Sequence, residues 1–287
     1  MSHFRMNFGA GASAALEMLG KQAEGNYLFL GKSGLNKAAF AREQIRKNLC
    51  VENLRYCPDY YEVAGTEKSI GVEDVTDIFP FLKTMAATGQ MKYCLIPNAE
   101  RLTPAASNAL LKMIEESRSV VFVFTADRAL LNTVMSRVRV IRCLPLSESD
   151  FLESHPQADE NVGRFVCGRS GFYDRIMEDK KLQMAADRLV GGIDHMKKSR
   201  EFLEIFSQVK EKDPESFFEL GCDFVSLALE YLSEQLMLRM IGVQKTLPYG
   251  KEQCRNLMDE IIAARRELER GSFGKNEFFA LVRKLAG

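Results

Sequence analysis

A chain of 287 residues with 46% hydrophobic and 27% charged side chains has ordinary globular composition, which excludes a disordered or collagen-like polypeptide. Its 39 basic side chains balance 39 acidic ones, so the whole molecule is no polyelectrolyte binder. The longest apolar runs, such as 120–124, stop far short of the roughly 20 residues a membrane helix needs. The stretch from Phe4 to Phe8 is too short for a signal-peptide core, so a cytoplasmic protein without membrane contact is expected.

Up to about residue 146, short β-prone runs alternate with helical stretches. Residues 27–30 read as a strand, followed by a glycine-containing loop and an alanine-rich helix over 38–48. A strand at 60–63, a helix over 72–85 and a strand at 92–96 come next. Thr103 then offers a side-chain cap, with Pro104 at the first helical position of a helix running to Glu116. Runs at 120–124 and 139–143 close the series. Strands alternating with helices predict a mostly parallel sheet covered on both faces.

Beyond Leu146 the strand signals stop. Residues 147–161 are acidic and polar and read as a surface linker or loose helix. Two longer helices are expected over 217–240 and 253–270, separated by Leu247-Pro248-Tyr249-Gly250. Phe217, Leu220, Phe224, Leu227, Tyr231 and Leu238 recur at three- and four-residue spacing, a buried stripe. This half is predicted to be all-α.

Seven scattered cysteines, with no CxxC pair, argue for reduced thiols. Cys50 and Cys57 are at best half of a metal site, and His3, His155 and His195 are far apart in sequence. No zinc is expected. The first 50 residues carry seven basic side chains against three acidic ones, and Arg128, Arg137, Arg139 and Arg142 follow one another with no acid between them. Such a cluster carries function only where the fold sets it at an interface.

Residues 31–38, Gly31-Lys32-Ser33-Gly34-Leu35-Asn36-Lys37-Ala38, lie between a predicted strand and a predicted helix, the setting of a GxxxxGK[ST] phosphate loop. Gly31 and Lys37 keep the frame, as the loop's first glycine and its phosphate-binding lysine. Asn36 replaces the second glycine and can still adopt a left-handed backbone. Ala38 replaces the hydroxyl residue that would hold magnesium. The strand at 92–96 is followed by Pro97-Asn98 where an acidic pair would complete the metal site. Two separate losses argue against autonomous ATP hydrolysis. The residues leave open whether Lys37 and the loop amides still hold a nucleotide or a simple anion.

The segment Ala106-Ser107-Asn108-Ala109-Leu110-Leu111-Lys112-Met113-Ile114-Glu115-Glu116 resembles the NALLKxLEE signature of bacterial clamp-loader AAA+ subunits. Cys57-Pro58-Asp59-Tyr60-Tyr61 is similar to the family's HPDYY segment, and 70–75 to the start of its next helix. Met135-Ser136-Arg137-Val138 falls where the family carries Ser-Arg-Cys. These matches cover about 25–145 in the family's order. Departures are Val138 for the motif cysteine, Ser117-Arg118 for Pro-Pro, and a zinc module shrunk to 50–57. Ser170 to Asp174 resembles the start of the sensor-2 helix, with Tyr173 near its arginine position, and Thr125 falls at the sensor-1 position.

The resemblance implies an α/β AAA+ core with a degenerate phosphate loop over 1–146, a helical lid over 147–187 and a C-terminal helical collar over 188–287. It also implies that Arg137, with Ser136 beside it, projects as an arginine finger into the ATP site of a neighbouring subunit. The implied partners are a gamma/tau-type ATPase subunit, a clamp-opening delta-type subunit, the sliding clamp and, through the complex, primer–template DNA. The chain would be an accessory subunit rather than an enzyme in its own right, with no cofactor. Two other readings remain at this point: a weak ATPase that still uses Lys37, and an AAA+-derived scaffold outside replication.

Overall fold

The computed structural model describes residues 7–8, 25–65, 69–87, 91–117, 119–180, 182–184, 186–187, 190, 222–243, 247, 249–270, 277 and 281. Two units separate at Ser147: Met1–Ser147 and Glu148–Gly287.

Six strands form the sheet of the first unit: β1 (Asn7–Phe8), β2 (Tyr27–Leu30), β3 (Tyr60–Glu62), β4 (Lys92–Ile96), β5 (Val120–Ala126) and β6 (Arg139–Leu144). Their spatial order is β1-β6-β2-β5-β4-β3. All neighbouring pairs from β6 to β3 are parallel, and β1 joins β6 antiparallel at the edge. The parallel sheet is therefore as expected. The edge strand was not foreseen, since two residues carry no readable alternation.

Side chains alternate across the sheet and build two cores. Tyr27 and Phe29 point to the side where helix α1 (Lys37–Asn48) contributes Phe40, Ala41 and Ile45. Phe29 and Phe40 meet edge to face, with ring centroids 5.6 Å apart. Leu28, Phe122 and Phe124 face the other side and pack on Ala106, Leu110 and Met113 of α4 (Pro104–Glu116). The Thr103 hydroxyl accepts from the Ala106 N–H at 3.1 Å, so the predicted cap is formed.

The single helix expected over 72–85 is instead two short ones, α2 (Val72–Thr76) and α3 (Phe79–Lys83). Pro80 has no N–H to donate to the Thr76 carbonyl, so the ladder breaks and restarts around it. The second piece is held from below by Lys92. This buried ammonium donates to the carbonyls of Phe81 and Thr84 and to the Thr84 hydroxyl, and lies 4.0 Å from the Phe81 ring centroid. Burial lowers its pKa. After β5 comes α5 (Asn132–Met135), one turn that delivers the chain to Ser136 and Arg137.

The described part of the second unit is helical. The segment expected to be a surface linker or loose helix contains α6 (Glu148–Ser154) and the start of α7 (Glu160–Val166), whose N-cap Asp159 accepts from the N–H groups of Asn161 and Val162. Helices α8 (Ser170–Glu178), α9 (Cys222–Met240) and α10 (Lys251–Glu269) complete it. Leu227 and Tyr231 of the predicted stripe are buried. Phe217, Leu220 and most of 188–221 lie outside the described residues, as do His3, Arg118 and His195. An ion network ties this unit together: the buried Arg169 guanidinium lies 3.1 Å from Glu230, which also faces Arg265 at 3.7 Å. Among the described residues no helix is long and apolar enough to cross a membrane.

Candidate functional site

The phosphate loop leaves β2 at Gly31 and enters α1 at Lys37. Its first glycine is required by a close approach: a Cβ at Gly31 would lie 2.4 Å from the Cys143 carbonyl oxygen and 3.0 Å from the Cys143 Cβ. The Gly31 N–H donates to the Ala126 carbonyl at 3.1 Å, fixing the loop between the ends of β5 and β6. Gly34 and Asn36 both take left-handed backbones, at φ 78° and 56°. Asn36 therefore does the conformational work of the missing second glycine, as its residue type predicted.

Lys37 is nearly buried. Its ammonium donates to the Asp127 carboxylate at 2.7 Å and to the Lys32 carbonyl at 2.7 Å. Asp127 is the first residue beyond β5. Its N–H in turn donates to Glu100 at 3.2 Å. Burial, with the Asp127 charge beside it, raises the Glu100 pKa. The position expected to meet a phosphate is thus lined by two carboxylates of this chain. Thr125 is also accounted for: its hydroxyl accepts from the Asn98 N–H at 3.1 Å, holding the left-handed turn after β4.

Arg137 stands in a different environment. Its backbone N–H closes the turn after α5 onto Val134, while its carbonyl accepts from the Asn26 side chain at 3.4 Å. Asn26 also accepts from the Phe122 N–H, so one amide pins the Arg137 backbone to the start of β5. The guanidinium is partly exposed. It donates to Glu115 at 2.8 Å, to the Thr133 carbonyl at 2.8 Å and to the Ser136 hydroxyl at 3.1 Å. Ser136 turns its own hydroxyl onto Thr133. Val138, where the resemblance has cysteine, packs against the core. Arg142 and Arg139 alternate outward along β6, and Arg128 is exposed, so the basic cluster is not a single contact group.

Sequence reasoning named Arg137, Ser136, Gly31 and Lys37 but missed three partners. Asp127 was passed over because it belongs to no motif, and Asn26 because it precedes a strand. Glu115 was in plain view within the helical signature, with nothing in the spacing to link it to Arg137. In the second unit, Tyr173 does not project as a ligand-binding group. It is buried against Phe151 and His155, with ring centroids 5.3 and 5.0 Å away. Among the described residues, no three His, Cys, Asp or Glu side chains gather as a metal site. Cys50 is exposed and directs its thiol to the Lys47 carbonyl, so it does not fit a zinc ligand set.

A family model described as DNA polymerase III, delta subunit, matches residues 16–147, nearly the whole of the first unit. Over this unit the chain is similar to the delta-type subunits of DNA polymerase III. Relatives named DNA polymerase III subunit delta-prime agree. The one from Haemophilus influenzae is 42% identical over 87 residues, which is 29% of this chain and 27% of the relative. That from Escherichia coli is 36% identical over 96 residues, 32% of this chain and 29% of the relative. The Pseudomonas aeruginosa protein is 32% identical over 132 residues, 39% of this chain and 40% of its own length. The chain thus spans well under half of the curated relatives it matches. A gamma subunit-related DNA polymerase III protein from Thermotoga maritima shares the fold across 96% of this chain and 98% of its own, with a TM-score of 0.56 and 18% identity. The shared fold is a parallel α/β core followed by helices.

Proposed function

We propose that this chain is a non-hydrolysing delta-prime-type subunit of a cytoplasmic clamp loader, presenting Arg137 in trans to the ATP site of a neighbouring gamma/tau-type subunit. Lid and collar follow the core at about 147–187 and 188–287, and the collar assembles the ring. A delta-type subunit, the sliding clamp and primer–template DNA are the other partners.

The observation that carries this reading is the contrast between the two cations. Lys37 is buried and neutralised inside the chain, whereas Arg137 is exposed and held by one exposed carboxylate. An exposed ion pair is worth about 1 kcal/mol or less, so a transferring phosphoryl group outcompetes Glu115 easily. A guanidinium keeps its charge throughout and presents several N–H donors to phosphate oxygens. Its role is to stabilise charge that develops on those oxygens in the transition state. Ser136 and Asn26 position it, one through the side chain and one through the backbone. Ala38 and Pro97-Asn98 leave this chain without the groups that hold magnesium, which supports its having no turnover of its own.

The test is ATP turnover of the reconstituted complex, stimulated by DNA and clamp, with Arg137→Ala against wild type after equal assembly is established. Arginine fingers contribute about 10³-fold or more. A loss of at least about a hundredfold with assembly intact is the expected result, and Arg137→Lys should recover little of it. Unchanged turnover would reduce Arg137 to a surface residue and leave the chain a structural ring member.

A further inference from the structure

We propose that the loop 31–37 is a phosphate cradle closed by its own carboxylate, Asp127, which takes the place of a bound phosphate on Lys37 and shuts phosphate esters and nucleotides out. The inference goes beyond the role of Arg137 and does not depend on it.

Three observations converge. The cradle is intact as a backbone: Gly31 docked on Ala126 and Cys143, left-handed Gly34 and Asn36, and Lys37 opening the helix. Such a loop ordinarily turns its lysine toward a phosphate. Here the lysine turns to Asp127 and to the Lys32 carbonyl, both at 2.7 Å, leaving its side chain 6% exposed. An incoming phosphate would have to displace both acceptors. The carboxylate is also anchored, because Asp127 follows directly on Ala126, the residue that receives the Gly31 N–H. Its own N–H is held by Glu100. Strand end, loop and lysine are thus fixed by one short stretch of chain.

An intramolecular ligand acts at an effective concentration of mM or more. Free phosphate, held weakly by a single lysine, does not compete at that level. Glu100 adds a second carboxylate beside the first, and two adjacent carboxylates repel a polyanion. The loop thus keeps its fold while losing its ligand, and the closed lysine pins α1 to the end of β5.

The experiment is calorimetric titration of inorganic phosphate, and separately of ATP without magnesium, into the full chain. Wild type should give no saturable binding. Asp127→Ala should acquire a phosphate site at least about tenfold tighter, the equivalent of about 1.4 kcal/mol, and Asp127→Ala with Lys37→Met should lose it again. Should the alanine variant not fold, Asp127→Asn keeps the side-chain shape and is titrated in its place. Wild type binding ATP or phosphate as tightly as the variant would overturn the proposal. So would a folded variant that gains nothing. Neither result bears on turnover in the assembled complex, so this inference and the arginine-finger reading fail separately.

Discussion

The two ends of the sheet carry cations of opposite character. At the end of β2, Lys37 is enclosed and satisfied entirely within the chain. Beyond β5, Arg137 projects partly into solvent, with its backbone pinned by Asn26 and its side chain on exposed Glu115. One cation is turned inward and the other outward. On the proposed role, a subunit that acts on its neighbour has no use for an open lysine and needs an arginine that can leave Glu115. The difference is therefore in accessibility and exchangeability, not in charge.

That contrast can be broken or sharpened by substitution. The largest stability effect should come from a cation with no ligand role at all. Arg169→Ala takes from half-buried Glu230 the nearer of the two guanidinium groups beside it and should cost about 3 kcal/mol of second-unit stability in chemical denaturation. It calibrates what a purely structural ion pair is worth in this protein. A loss under about 1 kcal/mol would show that burial does not separate structural from functional cations here. Next, Gly31→Ala drives a methyl group into the Cys143 carbonyl and should destabilise the first unit by about 1–3 kcal/mol. A neutral outcome would mean the closed loop is not keyed to β6. The smallest effect is expected at the outward end. Glu115→Gln should change the unfolding free energy by no more than about 1 kcal/mol in chemical denaturation. A larger drop would make the Arg137–Glu115 pair structural and count against an arginine that swings out to a neighbour.

The sequence made some of this legible and concealed the rest for a definable reason. Local chemistry was readable: the strand runs, the Thr103 cap, the Asn36 left-handed turn and the missing magnesium ligands all lie within a few residues of their causes. The break at Pro80 was overlooked, since the helix over 72–85 was read as continuous. What was hidden is partnership across the chain. Lys37 meets Asp127 at a separation of 90 residues, Asn26 meets Arg137 at 111, and even Arg137 and Glu115 are 22 apart. No periodicity encodes such pairings. They arise because β2, β5 and β6 are neighbours in the sheet and distant along the chain. The same limit hid the packing of Tyr173, which the resemblance set near the sensor-2 arginine position and whose ring lies against Phe151 and His155.

The most direct measurement compares the two cations in one assay: ATP turnover of the assembled complex carrying either Lys37→Met or Arg137→Ala in this chain, at matched assembly. Lys37→Met should stay within about twofold of wild type, and Arg137→Ala should fall by at least about a hundredfold. Equal losses, or a larger loss from Lys37→Met, would contradict the division of labour between an inward lysine and an outward arginine.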